Sequence, residues 1–524
     1  MIKDITKGHE ARLKVKAGVD KACGAVRPTL GPIGMTAMIE WAGLDPIECD
    51  DGVTILKNLE FKDKHENMGL QLLRKSALRT SAEGGDGTAT TTVLTQAIVH
   101  EAFKEIANDS SKIREVRERL QQGLKDTIAE LSKLKREVKE EDIERIATIS
   151  SLDPEVAKLI AEIIKEVGIN GVVTVEKGSK IGYSKEVVKG ARFNRGLISP
   201  FFINDRATGS TILENPYIVL VDRKISSNEQ ILPLLNSIGT GSQILIIADD
   251  VDSVALGTLA QNAMQGIAKI ACVKNPFTAT PGRDFLFDIA SLTGATVISE
   301  EMGMKLPEAT KELCGRAEKV IVTRDNTTII GGQNNPETLT ARIAEINALL
   351  ENTTSEYSKG QLEDRLAQLT GGIGVIRVGA YTDTEFNAKK YKFDNAINAT
   401  QAGLQEGILP GGGTALAKVE VNDSIFQRAL VAPLKQMAVN AGMDEHDVLQ
   451  KTKAMRQNEF GSMEGVTIGC DFKNREYVDM FDMGIIDPFK VVRLALESAV
   501  AIASSLISME TVITNTPEDG KKAE

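Results

Sequence analysis

EGGDGTATTT occupies residues 83–92, setting three glycines and four threonines around Asp86. Helical spacing flanks it: Met68, Leu72, Leu73, Ala77 and Leu78 come before, Val93, Leu94, Ala97 and Ile98 after. Glycine allows turns that a side chain would block and lets a ligand approach the main chain. The helix that follows presents unpaired N–H groups and a partial positive charge to an anion at its start. Threonine hydroxyls bind phosphate oxygens, and Asp86 suits a divalent cation held by those same oxygens. A ligand-free reading competes. A helix–loop–helix corner with Asp or Thr as N-cap explains most such junctions, and it is the stronger reading of this stretch alone.

The 524 residues are enough for about two to four domains with sizeable cores. At 42% hydrophobic and 26% charged the composition is that of a globular protein. Aromatic residues make up only 4%, with Trp41 the single tryptophan, which argues against stacking platforms for single-stranded nucleic acid. A net charge of −11 argues against nucleic-acid binding in general. No apolar run approaches the roughly 20 residues needed to span a bilayer. The opening MIKDITKGHEARLK lacks the apolar core of a secretory signal. Cys23, Cys49, Cys272, Cys314 and Cys470 are scattered without a CxxC pair. They read as reduced thiols of a cytoplasmic protein, and the scattered histidines give no metal constellation.

Ala11, Val15, Val19, Ala22 and Val26 trace one helix face, ended at Arg27 by Pro28. IECDDGVTILKNLEF (47–61) reads as two strands around an Asp-Gly turn. KLKREVKEEDIER (133–145) reads as a solvated helix face or link. Near residue 170 the character changes. The runs GVVTV (171–175), YIVLV (217–221) and QILIIA (243–248) alternate with helical windows at 228–238 and 253–267, which predicts an α/β domain. Residues 336–370 read as a helical hairpin. From about 400 to 512 the chain is helical again, with Val492, Ala495, Ala499 and Leu506 on one face, before a polar, disordered tail, TNTPEDGKKAE. Helical ends around an α/β middle predict a domain built from both termini with another inserted between them.

There is no GxxxxGK[ST] and no Rossmann-type GxGxxG, but four other places resemble parts of a nucleotide site. Each has a plainer reading. TLGPIG (29–34) is a helix stop, Asp51 a residue of a hairpin turn, and PGGGTAL (410–416) a flexible join before a helix. Asp487 before Pro488 reads as an ordinary N-cap.

Taken in order, the motifs resemble the group I chaperonins of the bacterial GroEL type. They are TLGPIG (29–34), DDGVTILKNLEF (50–61), ENMG (66–69), GGDGTATTTVL (84–94), RGLISPFFIN (195–204), DIASLTGATVISEEMGMKL (288–306), LTGGIGVIRVGA (369–380), EGILPGGGTAL (406–416) and MGIIDPFKVVRLAL (483–496). The resemblance runs nearly end to end. It implies a multidomain α and α/β fold: a helical equatorial ATP-binding domain from 1–131 and 406–524, a small intermediate hinge domain from 132–189 and 374–405, and an inserted α/β apical domain at 190–373. It further implies homo-oligomeric, commonly seven-membered rings, with ATP, Mg2+ and K+ as ligands, non-native polypeptides as clients and a co-chaperonin lid ring as partner. By the same resemblance Asp86 holds Mg2+, and Thr29, Leu30, Gly31, Pro32, Gly87, Thr88, Ala89, Thr90, Gly412, Ile485 and Asp487 contact ATP. Asp51 lies near the γ-phosphate and the attacking water. Leu197, Phe201, Phe202, Leu232, Leu235, Leu256, Leu259, Ala260 and Gln261 match a groove for polypeptide and lid, and Gly190 and Gly372 match hinges.

The departures from the family pattern touch the mechanism. NAINAT (395–400) aligns with a DALHAT-like segment and sets Asn395 where the family has the aspartate that polarises water. An amide oxygen orients water but takes no proton as a carboxylate does. Asp394 is adjacent but points about 100° away around a helix. Slow hydrolysis and a long-lived ATP state follow, and the alternative is a holdase or ring scaffold with little hydrolysis. Ala89 replaces a threonine, Asp50 a lysine, and Asp471, Phe472 and Lys473 small or amide residues near the base. Gln261 takes an apolar groove position, and the tail lacks Gly-Gly-Met repeats.

Overall fold

The apolar stripe of Ala11, Val15, Val19, Ala22 and Val26 forms the buried face of α1 (Gly8–Val26), each side chain fully enclosed. A computed structural model describes residues 3–40, 46–107, 109–168, 171–178, 181–205, 208–277, 279–333, 336–352, 359, 362, 365–366, 368–455 and 466–515. The chain divides into two units, one of residues 1–161 with 387–524, the other of 162–386.

In the terminal unit β1 (Lys3–Lys7) precedes α1, and a hairpin of β2 (Ala37–Ile39) and β3 (Ile47–Cys49) follows it. Next come α2 (Gly52–Asn58), α3 (Lys64–Gly84), α4 (Thr88–Ile106), α5 (Ile113–Leu134) and α6 (Glu140–Ser151), and α7 (Pro154–Val167) begins in this unit and ends in the other. The helix Phe489–Ile507 closes the unit and buries Val492, Ala495, Ala499 and Leu506 in one core with α1, α3 and α4. α1 and α3 touch backbone to backbone. A Cβ on Gly18 would lie 1.8 Å from the Glu66 carbonyl oxygen, and one on Gly69 2.1 Å from that of Val15. Gly18→Val therefore forces the two helices apart. It is expected to cost about 3 kcal/mol, read as a lower midpoint of guanidinium unfolding.

Three local expectations are corrected here. Residues 47–61 hold a single strand, and Asp51 then caps α2 by accepting the Thr54 N–H at 2.7 Å, so the Asp-Gly pair opens a helix instead of turning a hairpin. Asp487 is no N-cap. It pairs with Leu409 in a short ladder between Ile408–Pro410 and Ile486–Pro488, and Pro488 caps the closing helix. The tail begins ordered, because Thr514 and Asn515 belong to the strand Thr511–Asn515 paired with β1; residues 516–524 lie outside the described residues.

The inserted unit is an α/β fold on a ten-stranded sheet. Its strands are β4 (Val172–Lys177), β5 (Gly182–Phe193), β6 (Thr211–Glu214), β7 (Tyr217–Ile225), β8 (Gln243–Val251), β9 (Lys269–Lys274), β10 (Val297–Ile298), β11 (Gly315–Val322), β12 (Thr327–Gly332) and β13 (Gly372–Gly379). β7, β8 and β9 run parallel, joined by α8 (Asn228–Ile238) and α9 (Ser253–Met264). YIVLV is continuously apolar because both of its faces are buried: Val219 and Val221 join one core, Ile218 and Leu220 the other. α10 (Ala279–Thr293) and α11 (Pro336–Asn352) follow. α11 is the first arm of the expected hairpin, and most of the second lies outside the described residues. Those described pack Leu362 and Leu369 on Leu339 and Ile346, while the buried Asp288 grips Arg342 and Arg365.

Candidate functional site

The glycines of EGGDGTATTT have a structural cause. Gly85 (φ 80°) ends α3 and Gly87 (φ 90°) caps α4, both left-handed. Neither has room for a side chain: a Cβ on Gly85 would sit 2.4 Å from the Ala399 nitrogen and 2.6 Å from the Asn395 carbonyl oxygen, and one on Gly87 2.5 Å from Val491. The loop is thus pressed between the helices Asp383–Glu406 and Phe489–Ile507. No ligand is needed to explain that.

The polar groups ask for something more. Thr91, Thr92 and Thr95 turn their hydroxyls back onto the carbonyls of Gly87, Thr88 and Thr91 at 2.7–2.8 Å. The Thr88 and Thr90 hydroxyls make no such bond and stand in the first turn of α4, beside its unpaired N–H groups. Asp86 accepts the Gly87 N–H at 2.5 Å and keeps solvent access, although protein atoms surround it. That crowding raises its carboxyl above the usual carboxylate range; the Gly87 N–H opposes the shift and the charge of Asp51 adds to it. Asp487 is pushed up to about 7, first by desolvation and then by Asp86. Repelling carboxylates beside free hydroxyls and helix N–H groups suit a cation bridged to phosphates. Among the described residues no three His, Cys, Asp or Glu side chains are placed to hold a metal by themselves.

A carboxyl held near 7 binds more protons folded than unfolded between about pH 4 and 7, so its contribution to stability falls as pH rises through that window. Asp487→Asn should therefore raise the melting temperature of the nucleotide-free protein at about pH 8, and the gain should shrink at about pH 5. Thermal scans at both pH values check this.

The other candidates converge on the same end of α4. A Cβ on Gly52 would lie 3.1 Å from Thr88, which sets Asp51 beside the loop. Asp51 takes the Thr54 N–H on one oxygen and the Tyr391 hydroxyl, at 3.3 Å, on the other. The 29–32 segment is anchored by Asn440, which donates to the carbonyls of Arg27 (3.0 Å) and Leu30 (2.8 Å). Thr29 donates to Val26, Pro32 is exposed, and Leu30 packs with Val93 and Ala89. Met437 lies between the Cβ positions of Gly31, at 2.7 Å, and Gly413, at 3.1 Å. Gly411 donates to the Ile485 carbonyl at 2.9 Å, so Gly412 (φ 62°) and Ile485 are neighbours.

The departures at Asp471 and Phe472 have structural roles. Asp471 accepts the N–H groups of Lys473 and Asn474 in its turn, and Phe472 is 2% exposed in the core with Leu30. Asn395 lies one turn after Tyr391 on the helix against Gly85, and Asp394 is pushed up to about 6 by desolvation.

Two features escaped the sequence reading. Tyr391 carries no motif. The segment 133–145 is no solvated link throughout: Asp142 is fully buried, Arg136 reaches its two oxygens at 3.0 and 2.9 Å, and Arg145 donates to the carbonyls of Phe481 and Asp482. Arg136 also exchanges backbone bonds with Ile408. The clasp holds together the segments that lead to Gly412 and Ile485.

In the inserted unit, Leu197, Leu232, Leu235 and Leu256 are half-buried, Phe201 is 60% exposed and Gln261 is exposed. Leu232 and Leu235 help line a cavity of about 130 Å³ with Asn262 and Ile267. Phe202, Leu259 and Ala260 are buried beneath, so they support this face instead of lining it. Gly190 lies where β5 changes partner: residues 182–189 pair with β13 and 190–193 with β12. Gly372 opens β13 opposite Lys189.

A profile described as the TCP-1/cpn60 chaperonin family matches residues 24–517. The fold is similar to the crystal structure of the chaperonin gp146 from the bacteriophage EL 2 (Pseudomonas aeruginosa), obtained in the presence of ATP-BeFx. The two share 21% identity at a TM-score of 0.67, over 98% of this chain and 99% of that one. Among the described residues no helix is long and apolar enough to cross a membrane.

Proposed function

The chain belongs to the TCP-1/cpn60 chaperonin family, and on that premise we propose that it is an ATP-driven protein-folding chaperonin with a slow hydrolytic step. The observation that carries this reading is the meeting of Asp51, Asp86 and the Asn395 helix on the glycine loop at the start of α4. The triphosphate would lie against Gly87, Thr88, Ala89 and Thr90, with Asp86 holding Mg2+ and with Gly412, Ile485 and Asp487 toward the nucleoside; K+ would accompany them. Bound Mg2+ supplies charge neutralisation on the phosphates. Asp51 accepts the proton of the attacking water as the oxygen bonds to the γ-phosphorus and the bond to ADP breaks, the electron pair leaving on ADP. Asn395 orients that water without taking its proton.

In this reading 1–131 with 406–524 form the equatorial domain, 132–189 with 374–405 the intermediate and 190–373 the apical. Gly190 and Gly372 serve as hinges because a strand that changes partners bends there with little loss of pairing. Non-native chains bind at Leu197, Phe201, Leu232, Leu235, Leu256 and Gln261. Apolar burial, at roughly 25 cal/mol per Å², demands no particular client sequence. The protomers form homo-oligomeric rings, seven-membered by resemblance and capped by a lid ring, in the cytoplasm, where the five cysteines stay reduced.

Asn395 supports a second reading, a holdase that captures clients and turns ATP over poorly. Refolding of an aggregation-prone protein, with and without ATP and a lid protein, separates them. ATP-dependent recovery of activity supports the folding machine. Capture without recovery supports the holdase, and no capture removes both.

A further inference from the structure

We propose that Tyr391 is a positioning residue for ATP hydrolysis, holding Asp51 in place as the proton acceptor; this rests on the ATPase reading above. The Tyr391 hydroxyl donates to one Asp51 oxygen at 3.3 Å while the Thr54 N–H takes the other at 2.7 Å. Both oxygens are therefore fixed, and each keeps a lone pair for a proton. Asn395 follows Tyr391 by four positions, which puts the two side chains on one helix face. The Asn395 and Ser81 side chains pull the phenol's ionisation down, against desolvation and the charge of Asp51. Tyr391 thus ties its own helix to the start of α2 through Asp51.

The plain alternative is a ring that wedges the Asp383–Glu406 helix in place. Phenylalanine would do that equally well, without burying a hydroxyl that needs a partner. Desolvation, with the charge of Asp51 adding to it, raises the phenol above its usual range. It stays protonated and acts as a donor, not a base. In the reaction the water proton passes to Asp51, the oxygen bonds to the γ-phosphorus, and ADP leaves with the electron pair of the broken bond. Tyr391 keeps its proton throughout. The hydroxyl matters here because Asn395 cannot take that proton, which leaves Asp51 as the acceptor whose aim decides the rate.

Steady-state phosphate release with Mg-ATP on the full chain tests this in wild type, Tyr391→Phe, Asn395→Asp and the double variant. Tyr391→Phe is expected to lower kcat about tenfold with KM within about twofold. In the Asn395→Asp background the same change should cost less than about twofold, because the new carboxylate takes the proton. Wild-type turnover in Tyr391→Phe, or an equal loss in both backgrounds, overturns the proposal. No phosphate release from any of the four overturns the ATPase reading itself, and this proposal with it.

Discussion

Asn395→Asp is expected to raise phosphate release at least tenfold while ATP affinity stays within about threefold. A general base commonly contributes about 10²–10⁴. The gain here falls at the lower end because Asp51 already offers a carboxylate, and because loose phosphoryl transfer asks more for positioning than for proton removal. The position is well placed. The Asn395 carbonyl oxygen lies 2.6 Å from where a Gly85 Cβ would be, so its helix is seated directly on the loop. Asp394 does not already fill the role, since it points about 100° around the helix. Its elevated carboxyl, near 6, comes from desolvation with only Lys390 opposing. Single-turnover phosphate release separates the chemical step from product release. An unchanged single-turnover rate would remove residue 395 from the mechanism and leave the holdase reading without its support.

The elements written in local periodicity were legible without coordinates. The α1 stripe, the window 228–238 and the doubly buried runs of β7 and β8 depend on burial, which repeats every few residues along the chain itself. What failed depended on distant contacts. Asp-Gly at 51–52 opens a hairpin or a helix equally well, and the Tyr391 hydroxyl that meets Asp51 lies 340 positions away. Asp487 looks like an N-cap until Leu409 pairs with it, and Thr514 and Asn515 look like part of a disordered tail until β1 gives them a ladder. The charged run 133–145 hides a buried Asp142 because its arginine partners lie within the same run and read as surface charge. The candidate loop was visible for a related reason: glycines that must turn left-handed against two helices are also those a phosphate would ask for. The ordered set of motifs, more than any one of them, pointed to the family.

Changing Phe201 and Leu235 together to serine is expected to weaken capture of a non-native chain by roughly 10³-fold or more. Phe201 is 60% exposed, so replacing it removes little of the native core, and Leu235 lines the cavity beside α8 while packing only partly against that core. Each side chain offers about 1 kcal/mol of further apolar burial to a client, well below the roughly 1.5–3 kcal/mol of a fully buried one. One groove alone would then lose only about 2 kcal/mol. A ring changes the arithmetic. Once one groove holds the chain, its neighbours bind at high effective concentration, so the loss recurs at each engaged protomer. About three grooves acting together carry it past 10³-fold, since each 1.4 kcal/mol is a factor of ten. Gln261 already sits at this face, so the starting affinity per groove is modest and the dependence on repetition correspondingly steep. Fluorescence anisotropy of a labelled, denatured client diluted onto the assembled protein measures the change. Native-like capture by the double variant would show that clients bind elsewhere; a loss limited to about 30-fold would show that one groove acts at a time, and the ring would then owe its advantage to enclosure instead of multivalent grip.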